Sequence, residues 1–192
     1  MRIISGRSRG RTLLSPKETK GKDPLIRPTS DRAREALFNI IGQRVAGARV
    51  LDLFAGTGAF GLEALSRGAA QAVFVDDSSY ACALIAENCR LCREEESVII
   101  LRRDLRKIPT FMVKISVERP FDLVFMDPPY AKGFVRNLLF FFGQEPSLLA
   151  PDALLIVEEV HDADLPAHSQ GLALQDCRIY GKTGFWFYQR GA

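Results

Sequence analysis

Apolar and polar positions alternate over residues 1–15, and Gly6 and Gly10 bracket a basic turn there, which predicts a short β-hairpin. A polar, Lys-rich loop follows from Pro16 to Pro24. Ser30 can cap a helix running to about Gln43, with Leu37, Phe38, Ile40 and Ile41 as its apolar positions. Strand and helix patterns then alternate. Arg49–Phe54 reads as a buried strand, and a glycine-rich turn leads into a helix ending at Gly68. Ala72–Val75 is a second strand, Ser79–Cys92 a helix, Val98–Leu101 a third strand and Asp122–Met126 a fourth. A helix near Gly133–Phe142 precedes a fifth strand at Leu154–Val160. Leu172–Tyr180 and Phe185–Gln189 supply two more, and the turn Gly181-Lys182-Thr183-Gly184 between them makes the last strand antiparallel. Strands spaced by helices in this way predict an α/β fold, a doubly wound and mostly parallel sheet of seven strands. Ligands in such sheets bind beyond the carboxyl ends of the strands, where strand order reverses.

At 192 residues the chain has the length of a single domain able to bury its own core, and 47% apolar with 26% charged residues is the balance of a globular protein. No apolar run approaches the roughly 20 residues of a membrane span. Residues 1–7 lack the apolar core of a signal peptide, so a cytoplasmic location is expected, with no membrane partner. Cys82, Cys89 and Cys92 share a predicted helix, and no second cysteine pair accompanies Cys89-x-x-Cys92. They read as small apolar side chains, and no metal is expected. The net charge of +3 hides an asymmetry: residues 1–34 hold ten Lys/Arg against three acids. A basic arm on a mildly acidic body is an electrostatic footprint for nucleic acid, although a solvated surface segment would look the same. The arm and hairpin are assigned to residues 1–28, and the remaining domain to 29–192.

Gly56-x-Gly58-x-x-Gly61 follows directly on the first strand. Glycines there let the backbone turn tightly and approach a ligand closely. Asp76, at the tip of the second strand, can accept hydrogen bonds from both ribose hydroxyls of an adenosine. Asp52 decides which adenosine compound fits. A dinucleotide would bring its pyrophosphate close to this acid, whereas S-adenosylmethionine carries an ammonium and a sulfonium instead. The residues expected to hold that cofactor are Asp52, Phe54, Ala55, Gly56, Gly58, Gly61, Asp76 and Asp104. Asp104 follows the third strand, where it should reach the adenine edge; a surface acid capping the helix near Leu105 is the competing reading.

Asp127-Pro128-Pro129-Tyr130 stands immediately beyond the fourth strand. Two prolines stiffen the turn and remove two backbone donors. The Asp127 carboxylate and the Pro128 carbonyl can both accept from one exocyclic amine, favouring a nitrogen lone pair free to attack a methyl group. Tyr130 offers a ring for base stacking, worth ~1–3 kcal/mol in single-stranded nucleic-acid sites.

These motifs resemble those of the amino-directed S-adenosylmethionine methyltransferases. More narrowly, the chain resembles the bacterial RsmD family of 16S rRNA guanine-N2 methyltransferases. The carrying residues are Arg2-Ile3-Ile4-Ser5-Gly6 with Gly10-Arg11, the block from Arg27-Pro28-Thr29-Ser30-Asp31-Arg32 to Asn39, Leu51–Gly58 with Gly61–Ala69, and Asp127–Tyr130. The resemblance implies a Rossmann-like class I methyltransferase fold, and a monomer is expected. It implies as substrate guanine 966 of 16S rRNA, in an assembling or assembled small ribosomal subunit. Recognition of a splayed-out loop base suits both sequence-specific RNA binding and flipping of the target into a pocket. The family has Glu at the ribose-binding strand tip, where this chain has Asp76. RNA contacts are expected from Arg2, Arg7, Arg9, Arg11, Arg27 and Arg32, although Arg32 and Arg34 could equally form a solvated first helical turn. Three other readings remain open: an N6-adenine methyltransferase, a NAD-dependent oxidoreductase sharing the glycine turn, and a non-catalytic RNA-binding assembly factor.

Overall fold

The structure, a computed structural model, describes residues 1–16, 31–106, 111–112, 119–129 and 133–190. Predicted features at Arg27, Thr29, Ser30 and Tyr130 lie outside the described residues. The helices that flank the sheet are α1 (Asp31–Ile41), α2 (Ala59–Ser66), α3 (Ser79–Cys92) and α4 (Phe134–Gln144). The strands are β1 (Arg49–Leu53), β2 (Gln71–Asp76), β3 (Val98–Arg102), β4 (Phe121–Met126), β5 (Leu149–Val160), β6 (His168–Ser169), β7 (Leu172–Tyr180) and β8 (Thr183–Arg190). They form one sheet in the order β3-β2-β1-β4-β5-β8-β7-β6.

The first five strands run parallel, β8 pairs antiparallel to β5, and β7 and β6 continue the antiparallel edge. This is the predicted α/β fold with a mostly parallel sheet, with an eighth strand where seven were predicted. The additional strand is two residues long, too short to carry an alternating pattern. β5 also begins five residues earlier than predicted, at Leu149. Between β7 and β8 the chain turns on Gly181 (φ +65°) and Lys182, so that Tyr180 pairs with Thr183. A glycine with positive φ at the first turn position suits the twist of a two-residue hairpin.

The centre of the sheet is buried on both faces, so β1, β2 and β4 are mostly apolar. On one face, Leu37 and Phe38 of α1, Leu62 and Leu65 of α2 and Ile85 of α3 pack with Val50, Phe74 and Phe125. Cys89 and Cys92 are buried in this same cluster, and burial pushes the Cys89 thiol up to about 12. On the other face, Leu138, Leu139 and Phe142 of α4 cover Leu51, Leu53, Val124 and Met126. Arg34 departs from the solvated helical turn weighed for it. It follows the spacing of Leu37, Phe38 and Ile41 and is buried, whereas Arg32 is exposed.

The N-terminal residues form an antiparallel turn held by Ile3 N–H to the Arg11 carbonyl, Gly10 N–H to the Ile3 carbonyl, and a bridge between Arg2 and Thr12. Ile3 and Leu13 enter the core. Gly6 lies so close to α2 that a Cβ there would fall 1.8 Å from the Ser66 carbonyl oxygen. Only glycine permits that approach, and it brings Arg7 N–H within 2.8 Å of the same oxygen.

Candidate active site

Strand order reverses between β1 and β4, and the carboxyl ends of these two strands hold the predicted motifs. Past β1 the chain makes a sharp reversal: Phe54, Gly56 and Gly58 all have positive φ, at 58°, 55° and 75°. Positive φ is uncommon for a bulky residue such as Phe54, and such conformations concentrate at ligand-binding turns. The turn is tied down on several sides. Ala55 N–H donates to the Val75 carbonyl and Gly58 N–H to the Ala55 carbonyl. Asn88 of α3, fully buried, donates from Nδ2 to the Thr57 carbonyl at 2.9 Å while its Oδ1 accepts from Leu14 N–H at 2.7 Å. One side chain thereby joins the glycine turn to the N-terminal segment.

Asp52 is 2% exposed, and its Oδ2 accepts from Gly61 N–H at 3.0 Å. Burial pushes its carboxyl up to about 8, opposed by the Gly61 hydrogen bond and reinforced by Asp76. Gly61 is required here, because an added Cβ would sit 2.4 Å from the Phe74 ring. Asp76 receives Gly56 N–H on Oδ2 and Ser78 N–H on Oδ1, each at 2.9 Å. These two amides orient the carboxylate, and a carboxylate with about four lone-pair sites can still accept ribose hydroxyls. Asp104 accepts from the Arg106 backbone N–H at 2.9 Å and from its guanidinium at 2.8 and 3.0 Å. These bonds hold the carboxylate at the end of β3.

Asp127 is half-buried at the end of β4, with its N–H directed to the Leu53 carbonyl at 3.4 Å. Burial raises its carboxyl well above the ordinary carboxylate range, with further contributions from Glu158, Asp52 and Glu159. Glu158 and Glu159, 3% and 6% exposed, end β5 beside it, since Met126 pairs with Val157. Neither was singled out from the sequence, although two consecutive acids closing a buried strand are a readable signal. Pro128 is buried and Pro129 exposed. A recess joins the two motifs, lined by Asp52, Phe54, Ala55, Phe125, Asp127 and Arg34, among others. Phe60 and Phe125 stack at 4.1 Å on its wall, and Phe38 stacks on Phe60 at 5.1 Å.

A second group also went unnoticed in the sequence. Glu63 is fully buried and accepts from Ile4 N–H at 2.7 Å, Ser5 N–H at 3.0 Å and Arg67 Nε at 2.7 Å. As the one charged residue of α2, it could have been found by that contrast. Arg34 Nε lies 3.9 Å from Glu63, and Arg34 Nη2 donates to the Arg2 carbonyl and to Asp31 at 3.0 Å. Burial lowers the Arg34 guanidinium from its ordinary value, opposed by Glu63 and Asp31.

The basic residues of the N-terminal segment divide. Arg7 pairs with the buried Glu94, Arg11 donates to the Leu91 carbonyl, and Arg2 stands 3.8 Å from Asp31. Arg9 is exposed and makes no ion pair or side-chain hydrogen bond with a described residue.

Comparison with known proteins covers the whole of this architecture. The family described as Conserved hypothetical protein 95 matches residues 1–189. Ribosomal RNA small subunit methyltransferase D of Escherichia coli K12 is 33% identical, over 100% of this chain and 91% of that protein. The solved structure of yhhF from Escherichia coli superposes with a TM-score of 0.79 at 31% identity, covering 99% of this chain and 97% of that one. The fold is shared more distantly by SMU.776, solved in complex with SAH, with a TM-score of 0.64 at 17% identity over 82% of this chain and 49% of that one. Matched along its length in both sequence and structure, and carrying both motifs at the ends of β1 and β4, the chain belongs to the RsmD family.

Proposed function

We propose that the protein transfers a methyl group from S-adenosylmethionine to the exocyclic N2 amine of guanine 966 in 16S rRNA of the small ribosomal subunit. The observation that carries this reading is a recess lined both by Asp127 and by the Phe54–Thr57 turn, which supports an amine held by Asp127 next to a cofactor received by the turn. The relative named ribosomal RNA small subunit methyltransferase D supports the choice of substrate.

S-adenosylmethionine supplies an electrophilic methyl group on its sulfonium. Asp76 would accept from the ribose hydroxyls, Asp104 would meet the adenine edge, and Gly56, Gly58 and Gly61 would let the turn approach the ligand closely. Asp52 and Asp127 provide negative charge toward its cationic groups, in a desolvated position where such attraction is strong. Both carboxyls would return toward the ionised form beside such cations. Asp127 and the Pro128 carbonyl would accept from the guanine amine and orient its nitrogen lone pair toward the methyl group that S-adenosylmethionine would supply. Pro129 keeps the turn rigid and Tyr130 stacks on the base. Residues 1–28 serve as an RNA-gripping arm, through Arg2, Arg7, Arg9, Arg11 and Arg27, with Arg32 beside it.

Labelled methyl transfer to small ribosomal subunits lacking their own modification, with mass spectrometry of the nucleosides, tests the reading. N2-methylguanosine at one position is expected, and Asp127→Ala should abolish transfer while S-adenosylhomocysteine still binds. N6-methyladenosine as the product would replace guanine with adenine as the acceptor, and wild-type turnover by Asp127→Ala would remove the role given to that residue.

A further inference from the structure

Arg34 is buried to 2% exposure, yet its Nε and Nη1 have no hydrogen-bond partner. A buried guanidinium normally finds partners for its five N–H donors, so two unsatisfied nitrogens need an explanation. Arg34 is among the residues that line the recess containing Asp52, the Phe54-Ala55 turn and Asp127. Among the described lining residues it is the one basic side chain. Among the described residues, the ion pairs of Arg2, Arg34 and Arg67 run to two carboxylates, Asp31 and Glu63, so this cluster carries one positive charge more than it has acids.

S-adenosylmethionine is bipolar at its amino-acid end, with an ammonium and a carboxylate on one carbon. The recess is bipolar too, with Asp52 and Asp127 able to face cationic groups and Arg34 able to face an anionic one. We infer that Arg34 is the residue that binds the carboxylate of the cofactor's methionine moiety, through the Nη1 donors left unsatisfied in the buried guanidinium. The inference rests on the cofactor assigned above and adds a function to α1, which otherwise only packs on the sheet. Glu63 and Asp31 then act as positioning residues: they take the remaining edge of the fork and fix the plane in which Nη1 is presented. A carboxylate bound by a prearranged arginine meets fixed geometry as well as charge.

Isothermal titration of the full chain with S-adenosylmethionine and with decarboxylated S-adenosylmethionine tests this. The two compounds carry the same cationic groups and differ in the carboxylate alone. The wild-type chain should bind the first more tightly by about ten- to a hundred-fold, the range of a charge-assisted hydrogen-bonded contact. Arg34→Met should erase most of that ratio while leaving affinity for the decarboxylated compound near wild type. Arg34→Lys keeps a charge beside Glu63 without the planar fork, and should give an intermediate ratio. Equal affinity of the wild-type chain for both compounds would overturn the inference and leave the cofactor assignment standing. An equal drop in affinity for both compounds in the variants would overturn it as well, by making Arg34 a support for the fold alone. Binding of neither compound to the wild-type chain would overturn the proposed function, and the inference with it.

Discussion

At the scale of single residues, the buried carboxyls set how the protein responds to pH. Asp52 has an ordinary value of 3.8 and a folded-state value of about 8. Between these limits the native chain holds a proton on Asp52 that the unfolded chain has released. Stability therefore falls as pH rises from about 4 to about 8, and levels off above that. Asp127 is raised by burial and by neighbouring acids, and shifts stability in the same direction. Asn at position 52 retains an oxygen for the Gly61 N–H and carries no charge at any pH. Asp52→Asn should match the wild type near pH 4 and melt several degrees higher at pH 8, since 1 kcal/mol moves the midpoint by about 2–4 °C in a chain of this size. Thermal melts followed by circular dichroism at pH 4.5, 6.5 and 8 would show it, and parallel profiles would contradict the buried-acid account. The same substitution should weaken binding of S-adenosylmethionine, because one negative charge leaves the recess.

At the scale of elements, the glycine turn and α2 form one close-packed unit against β2. Gly61→Ala places a methyl group 2.4 Å from the Phe74 ring, and Phe74 is fully buried on a central strand. Overpacking of this kind costs about 1–3 kcal/mol. The expected result is a chain that folds with a lower denaturation midpoint and binds S-adenosylhomocysteine more weakly, since displacing α2 moves the Asp52–Gly61 hydrogen bond. An unchanged midpoint would show that the close approach has slack. This turn was legible in the sequence because backbone conformation and motif coincide: glycine spacing after an apolar strand has few other readings. The apolar strands β1 to β5 and helix α3 were legible for a related reason, since burial on both faces leaves continuous apolar runs between clear helical segments. Arg34 and Glu63 were not. Each is charged, and charge in a sequence reads as surface until the partner that neutralises it is known. Asp31 and Arg67 lie within four positions of them, but such local pairs also occur on exposed helices; the backbone amides of Ile4 and Ser5, up to 59 positions away, and the approach of Arg34 to Glu63 exist only in the fold. β6 escaped for a different reason, because its pairing with β7 spans two residues and depends on where β7 lies.

At the scale of the whole molecule, the asymmetry of charge along the chain is partly neutralised by folding. Residues 1–34 carry a large positive excess, but Arg7 is held by Glu94, Arg2 stands beside Asp31 and Arg11 is bonded to a carbonyl. Their attraction for phosphate is reduced to the extent that these interactions persist in a complex. Arg9 is exposed, with no ion pair to a described residue, and sits on a turn rigidly docked through Gly6 and Ser66. A cation on a fixed support gives up little freedom when it meets a phosphate, so Arg9 should add more to RNA affinity than Arg7. For single-stranded RNA, each phosphate left without its cation reduces the slope of log affinity against log salt by about 0.7. Arg9→Gln should flatten the slope by about that amount for the loop-containing rRNA fragment, with Arg7→Gln giving a smaller change. Neutralising Arg7, Arg9 and Arg11 together should flatten it by at most about 2, the sum for three phosphates. Filter-binding titrations from low to physiological salt, with a thermal melt of each variant, separate this from unfolding. Arg7→Gln leaves Glu94 buried without its partner and is expected to lower the melting temperature, whereas Arg9→Gln is not. A salt slope untouched by the triple substitution would make the N-terminal segment a structural cover for α2 and α3 and move the RNA-binding surface elsewhere on the molecule.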